Sequence, residues 1–132
     1  MPAPLKLVLV TPEKTLIDQT VDALRFPLFD GQIGILPGRA PLLGRLGTGE
    51  LEIEADGTKT SWFIDGGFAQ MRGGVVSLLT NRAKPVSDLD PAQAKADLEV
   101  ALSRPATTEE QLAARQREQD RARSVLALVN RR

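Results

Sequence analysis

Short apolar runs alternate with glycine and proline punctuation along the first two thirds of the chain. Lys6-Leu7-Val8-Leu9-Val10 is a strand candidate ending at Thr11-Pro12, and Thr15-Leu16-Ile17-Asp18 and Ala23-Leu24-Arg25-Phe26 are further short runs. Asp30-Gly31 signals a turn before Gln32-Ile33-Gly34-Ile35-Leu36, and Pro37-Gly38 signals a second. Glu50-Leu51-Glu52-Ile53-Glu54 alternates strictly, which sets Leu51 and Ile53 on one face and three carboxylates on the other. Asp56-Gly57 turns the chain into Thr60-Ser61-Trp62-Phe63-Ile64. Gly66-Gly67 and Gly73-Gly74 read as turns on either side of Phe68-Ala69-Gln70-Met71, and Val75-Val76-Ser77-Leu78-Leu79 follows. About eight to ten short strands at this spacing predict an all-β sandwich or barrel.

From Ser87 onward the pattern changes. Gly disappears, and Ala, Leu, Glu, Gln and Arg, all good helix formers, dominate. Asp90 followed by Pro91 is an N-cap with proline in the first turn, and a helix is expected from Pro91 to about Ser103. Arg104-Pro105-Ala106 breaks it. Thr107 and Glu110 have the spacing of a capping box and open a second helix reaching about Asn130. So short a connection makes the helices antiparallel neighbours. Their apolar stripe is weak: Ala94, Leu98, Ala101 and Leu102 on the first helix, and Leu112, Gln116, Gln119, Ala122, Leu126 and Val129 on the second. The expected fold is mainly β plus α, with a β-sandwich over residues 1–87 and an antiparallel two-helix hairpin over 88–132. So thin a stripe suits either permanent packing against the sandwich or an arm that detaches and redocks.

Composition narrows the chemistry. The 132 residues carry 17 Lys and Arg against 17 Asp and Glu, and this zero balance removes the electrostatic footprint of a nucleic-acid binder. Cys, His and Tyr are all absent, so there is no thiolate or imidazole to serve as nucleophile, general base or zinc ligand. This leans against a hydrolase, a zinc enzyme or a redox protein. The apolar stretch Leu5 to Val10 falls far short of the roughly 20 residues that span a bilayer. The chain reads as cytoplasmic, touching a membrane only indirectly through a partner.

No catalytic constellation emerges. The solvated face of a strand explains Glu50, Glu52 and Glu54 better than a metal site does. Gly31-Gln32-Ile33-Gly34 lacks the strand, helix and following Lys of a phosphate loop. Trp62, Phe63 and Phe68 read as core or rim. Arg115, Arg117, Arg121 and Arg123 interleave with Glu109, Glu110, Glu118 and Asp120, the arrangement of a solvated helix face, with an anion site as the alternative. The segment from Pro37 to Leu43 is a stiff, partly apolar loop, read as a connector or as a docking surface.

Gly34-Ile35-Leu36-Pro37-Gly38-Arg39-Ala40-Pro41-Leu42-Leu43 closely resembles the signature of the epsilon subunit of F-type ATP synthases. Val10-Thr11-Pro12-Glu13-Lys14, Gly49-Glu50-Leu51, and Gly66-Gly67-Phe68 leading to Val75-Val76-Ser77-Leu78-Leu79 resemble the family as well, in order and over nearly the whole chain. The resemblance implies a small central-stalk rotor subunit, not an enzyme. Its sandwich would bind the gamma subunit and touch the polar loops of the c-ring, with proton or sodium as the coupling ion. Its hairpin would fold on the sandwich or extend along gamma towards the alpha/beta hexamer and impede ATP hydrolysis. A bacterial chain on the cytoplasmic face of the cell membrane is expected.

Residue by residue, the resemblance assigns partner contacts to Asp30, Gln32, Arg39, Pro41 and Leu42. Gln32 stands where an acid is common and Arg39 where His is usual, which makes that charge permanent. The inhibitory arm is represented by Arg115, Arg117, Arg121 and Arg123. Family members that bind ATP carry an Ile/Leu-Asp-x-x-Arg-Ala motif with arginines on the second helix. Here Leu89, Asp90 and Ala94 agree, but Gln93 replaces the arginine. Arg121 is present, and Val125 stands where a second arginine would be expected. ATP binding through Asp90 and Arg121 is therefore expected to be weak or absent, and no other cofactor or metal is implied. Two competing readings are a nucleotide-sensing regulator that binds ATP at the hairpin and a sandwich module unrelated to the synthase.

Overall fold

Period-two alternation places Leu5, Leu7 and Leu9 of the first strand, Leu5–Val10 (β1), fully inside and leaves Lys6 outside. The same logic builds β2 (Thr15–Val21), β3 (Ala23–Leu28), β4 (Gly31–Ile35), β5 (Leu42–Ala55), β6 (Thr58–Arg72), β7 (Val75–Leu79) and β8 (Ala83–Pro85). The structure is a computed structural model and describes residues 4–38 and 41–130. The eight strands join in the order β2-β1-β7-β6-β5-β3-β4, with β8 added to β6. β1 runs parallel to β7, and the other pairings are antiparallel.

Two long strands carry the architecture. The runs expected separately around 50–54, 60–64 and 68–71 are parts of β5 and β6, which stay in register from Leu42 opposite Met71 to Ala55 opposite Thr58. Gly66-Gly67, expected as a turn, lies inside β6. The phase of burial shows what the glycines do. Leu46 is buried, yet so are Leu51 and Ile53; Ile64 is buried, yet so are Ala69 and Met71. Each strand therefore swaps the side it turns inward at residues 47–49 and 65–67. At Gly67 φ is +114°, and a Cβ there would sit 1.8 Å from the carbonyl oxygen of Leu79, so only glycine fits. The bent sheet closes as a β-sandwich around Phe26, Leu51, Ile53, Ile64, Met71 and Leu78.

Local chemistry closes the ends. Asp56 and Gly57 adopt φ of +53° and +76°, as a two-residue hairpin turn of type I′ requires, and the Asp56 N–H donates to Asp22 Oδ2 at 2.9 Å. Thr11 and Lys14 exchange backbone hydrogen bonds of 3.0 and 3.2 Å, which accounts for the Thr11-Pro12-Glu13-Lys14 segment as a closed loop. Buried Thr80 accepts from the Asp65 N–H at 3.1 Å and donates to the Arg82 carbonyl at 3.2 Å. Among the described residues no buried side-chain polar atom lacks a partner.

The second unit spans residues 86–132, beginning slightly before the boundary expected at 87. A 3₁₀ turn at Val86–Asp88 belongs to it and leads to α1 (Pro91–Ser103) and α2 (Glu109–Asn130). The Asp90 carboxylate caps α1, accepting from the Ala92 N–H at 2.9 Å. The capping box of α2 is one residue later than expected. Thr108 Oγ1 accepts from the Gln111 N–H at 3.1 Å, while Gln111 Oε1 accepts from the N–H groups of Thr107 and Thr108. The stripe is also rotated near the tip. Leu102, Leu112 and Gln116 are exposed, and Arg115 and Glu118 are half-buried instead. Ala94 and Ala101 on α1, and Ala122, Leu128 and Val129 on α2, are the buried apolar residues of the pair.

Candidate functional site

The register of the sandwich brings exposed apolar side chains together on the outer surface of one sheet. Phe68 on β6 lies directly opposite Arg45 on β5 and Leu79 on β7, and Leu79 lies opposite Val10 on β1. Directly opposed residues share a face, so these four form a row across the strands. Leu43, two residues from Arg45 on the same strand, shares that face. Phe29, in the two-residue loop between β3 and β4, completes the row: its N–H donates to the Arg45 carbonyl at 2.8 Å, and the Arg45 guanidinium sits 4.9 Å from its ring centre. Phe29, Leu43, Phe68 and Leu79 are 72%, 77%, 56% and 51% exposed. Isolated exposed hydrophobes are ordinary, whereas a row of this kind is a candidate interaction surface.

Phe68 was expected in the core or at its rim. The phase swap at Gly67 turns Ala69 and Met71 inward and Phe68 outward. Trp62 is partly buried against the core and Phe63 is buried. The leucine pair after Pro41 divides in the same way. Leu42, named as a partner contact, pairs with Met71 and packs partly against the core, and Leu43 is the one that faces outward. Pro41, Leu43, Gln70 and Arg72 line a shallow groove beside the row. Asp30 and Gln32 are exposed at the β3–β4 turn next to Phe29. Arg39 lies outside the described residues.

This unit spans the first 85 residues. A family model described as the ATP synthase Delta/Epsilon chain, β-sandwich domain, matches residues 4–86. The chain belongs to the ATP synthase epsilon family. It is 45% identical over 107 residues to an ATP synthase epsilon chain of Rhodopirellula baltica, which covers 81% of this chain and 84% of that one. A Roseiflexus epsilon chain is 40% identical over 93 residues, covering 70% and 67%. Among solved structures, a chain of the Euglena gracilis mitochondrial ATP synthase (OSCP/F1/c-ring) superposes with a TM-score of 0.85 at 27% identity, covering 96% of this chain and 82% of that one. As an epsilon chain it is a non-catalytic central-stalk subunit of the synthase.

The helical unit of this epsilon chain disposes its charges around the helix. Arg115 is half-buried and donates to the Arg104 carbonyl at 3.2 Å, and Arg104 pairs with Glu118. Arg117 and Arg123 are exposed and Arg121 is half-buried, so the four arginines named for the arm do not share one face of α2. Asp90 is engaged as a cap, and Gln93 donates to Asp97 Oδ1 at 2.8 Å. In the sandwich, Glu52 pairs with Lys59 at 3.7 Å. Among the described residues no group of three acidic side chains is placed to hold a metal, and no helix is long and apolar enough to cross a membrane.

Proposed function

We propose that this chain couples the gamma subunit to the c-ring in the rotor of a bacterial F-type ATP synthase, with gamma docked on the row of Phe29, Phe68, Leu79 and Leu43. The exposed row carries the reading, because a stalk subunit needs a rigid apolar platform and this face is built on the closed sandwich. The exposed turn bearing Asp30 and Gln32 is the end directed at the polar loops of the c-ring. The subunit is then peripheral, on the cytoplasmic face of the cell membrane. Co-purification of gamma with the full chain tests the docking: Phe68→Asp places a charge in the row and abolishes capture, whereas Asp88→Ala, on the exposed 3₁₀ turn, leaves it intact. Equal capture by both variants contradicts the reading.

The hairpin is the regulatory part of this proposal. Its arginines contact the alpha/beta hexamer when the arm extends and slow ATP hydrolysis. Because they point around α2, the contribution of each depends on which face meets the hexamer. Single Ala replacements of Arg117 and Arg123 therefore relieve inhibition unequally in a reconstituted ATPase assay. ATP itself binds weakly or not at all, since Gln93 offers no cation to phosphate and Asp90 is committed to capping. Calorimetric titration with ATP checks this, and a sub-micromolar dissociation constant contradicts it.

A further inference from the structure

Arg45 is the one residue of the row that is charged, and this has a consequence for whatever covers it. Its guanidinium lies over the Phe29 ring, Phe68 stands directly opposite on β6, and Leu43 shares the same face of β5. Ion pairs elsewhere among the described residues join Lys6 to Asp18, Lys59 to Glu52 and Arg104 to Glu118. Among the described residues no carboxylate lies within ion-pair distance of Arg45. While the face is wet, water satisfies the guanidinium. Once a partner covers the row, that water leaves, and an unpaired charge among two phenylalanines and a leucine opposes binding.

We infer that the partner sets a carboxylate, from an Asp or Glu, against Arg45 inside an otherwise apolar contact. The inference rests on the docking face described above and adds the chemistry of its occupant. Stacking of the guanidinium on Phe29 uses the flat face of the group and leaves its in-plane N–H donors for the partner. Two parallel N–H donors match the two oxygens of a carboxylate, and an ionised acceptor gives the stronger bond. The pair also fixes the register of the docking, because sliding the partner by one residue strands both charges in apolar surroundings. Arg45 is thus the residue that determines specificity on this face, and the phenylalanines supply area.

The test is calorimetric titration of purified gamma subunit into the full chain and its variants. Arg45 is exposed, so its substitution leaves the sandwich core intact. Arg45→Ala is expected to weaken binding by about thirtyfold or more, Arg45→Glu further, and Arg45→Lys less than Ala. The wild-type affinity falls more steeply with salt than that of Arg45→Ala. Changing one acidic residue of gamma to arginine restores binding to Arg45→Glu by about tenfold or more and weakens binding to the wild type. If Phe68→Asp loses affinity while Arg45→Glu binds like the wild type, the docking face stands and the carboxylate proposal is overturned. The proposal is also overturned if no acidic residue of gamma gives the reciprocal rescue, as would happen with backbone carbonyls facing Arg45. Equal affinity of the wild type and Phe68→Asp overturns the docking face and the proposal together.

Discussion

The two units of the chain are stabilised by different means. The sandwich buries Leu, Ile, Phe and Met side chains completely, with Phe26, Leu51, Ile53, Ile64 and Met71 at its centre. The hairpin buries chiefly alanines along α1, and Ala122, Leu128 and Val129 along α2. Each fully buried large apolar side chain contributes roughly 1.5–3 kcal/mol, whereas a buried methyl contributes about 0.8 kcal/mol. The sandwich can therefore hold a rigid face towards a partner. The hairpin relies on its caps and on the Arg104–Glu118 and Arg115–Arg104 contacts near the tip, which are interactions that can be exchanged for others at small cost. The proposed role, a fixed coupling surface with a movable arm, calls for such a division.

Trp62, the single tryptophan, lies in the sandwich, and most of the helix lies in the hairpin, so fluorescence and far-ultraviolet circular dichroism report the two units separately. The largest effect is expected at the bend of β6. Gly67→Ala drives a Cβ into the Leu79 carbonyl and forces a left-handed backbone on alanine, costing about 4 kcal/mol or more, so the Trp62 transition in urea collapses. Phe26→Ala, a cavity in the core, costs about 3–5 kcal/mol by the same readout. Asp90→Ala removes the cap of α1 and costs about 1 kcal/mol; helicity falls while the Trp62 transition stays in place. A matching shift of the Trp62 transition would show the two units to be one cooperative block and break the comparison. Smallest is Glu118→Gln, which weakens a half-exposed pair by less than about 1 kcal/mol and speeds amide exchange at the hairpin tip without touching the sandwich.

Much of the sandwich was legible because β1 and β7 alternate cleanly and Asp56-Gly57 is an unambiguous hairpin turn. The union of short runs into β5 and β6 was not. A glycine pair that bends a strand has the same local signature as one that ends it, and only the carbonyl of Leu79, supplied by another strand, tells them apart. Leu43 of the exposed row falls in the segment from Pro37 to Leu43 that reads as a connector or docking surface, but Phe68 was missed for the same reason as the strand union. An aromatic in a strand is ordinarily core, and Phe68 points outward only because the phase changes at Gly67. A signal was present in Phe68-Ala69-Gln70-Met71, whose alternation admits one inward phase when Ala69 and Met71 are read as the buried pair. Phe29 in a two-residue turn was a second signal, since a large apolar side chain there gains nothing from folding. On the helices, Thr107 with Glu110 and Thr108 with Gln111 satisfy the capping pattern equally, so the choice falls to the geometry of the preceding loop.

The division of labour between the units is tested most directly by comparing the full chain with a version ending at Ser87, in gamma affinity and in the ATPase rate of the catalytic core. A platform and a separable arm predict equal affinity for gamma from both versions and inhibition by the full chain only. Loss of gamma binding on truncation would contradict the account, because the hairpin would then be part of the docking surface.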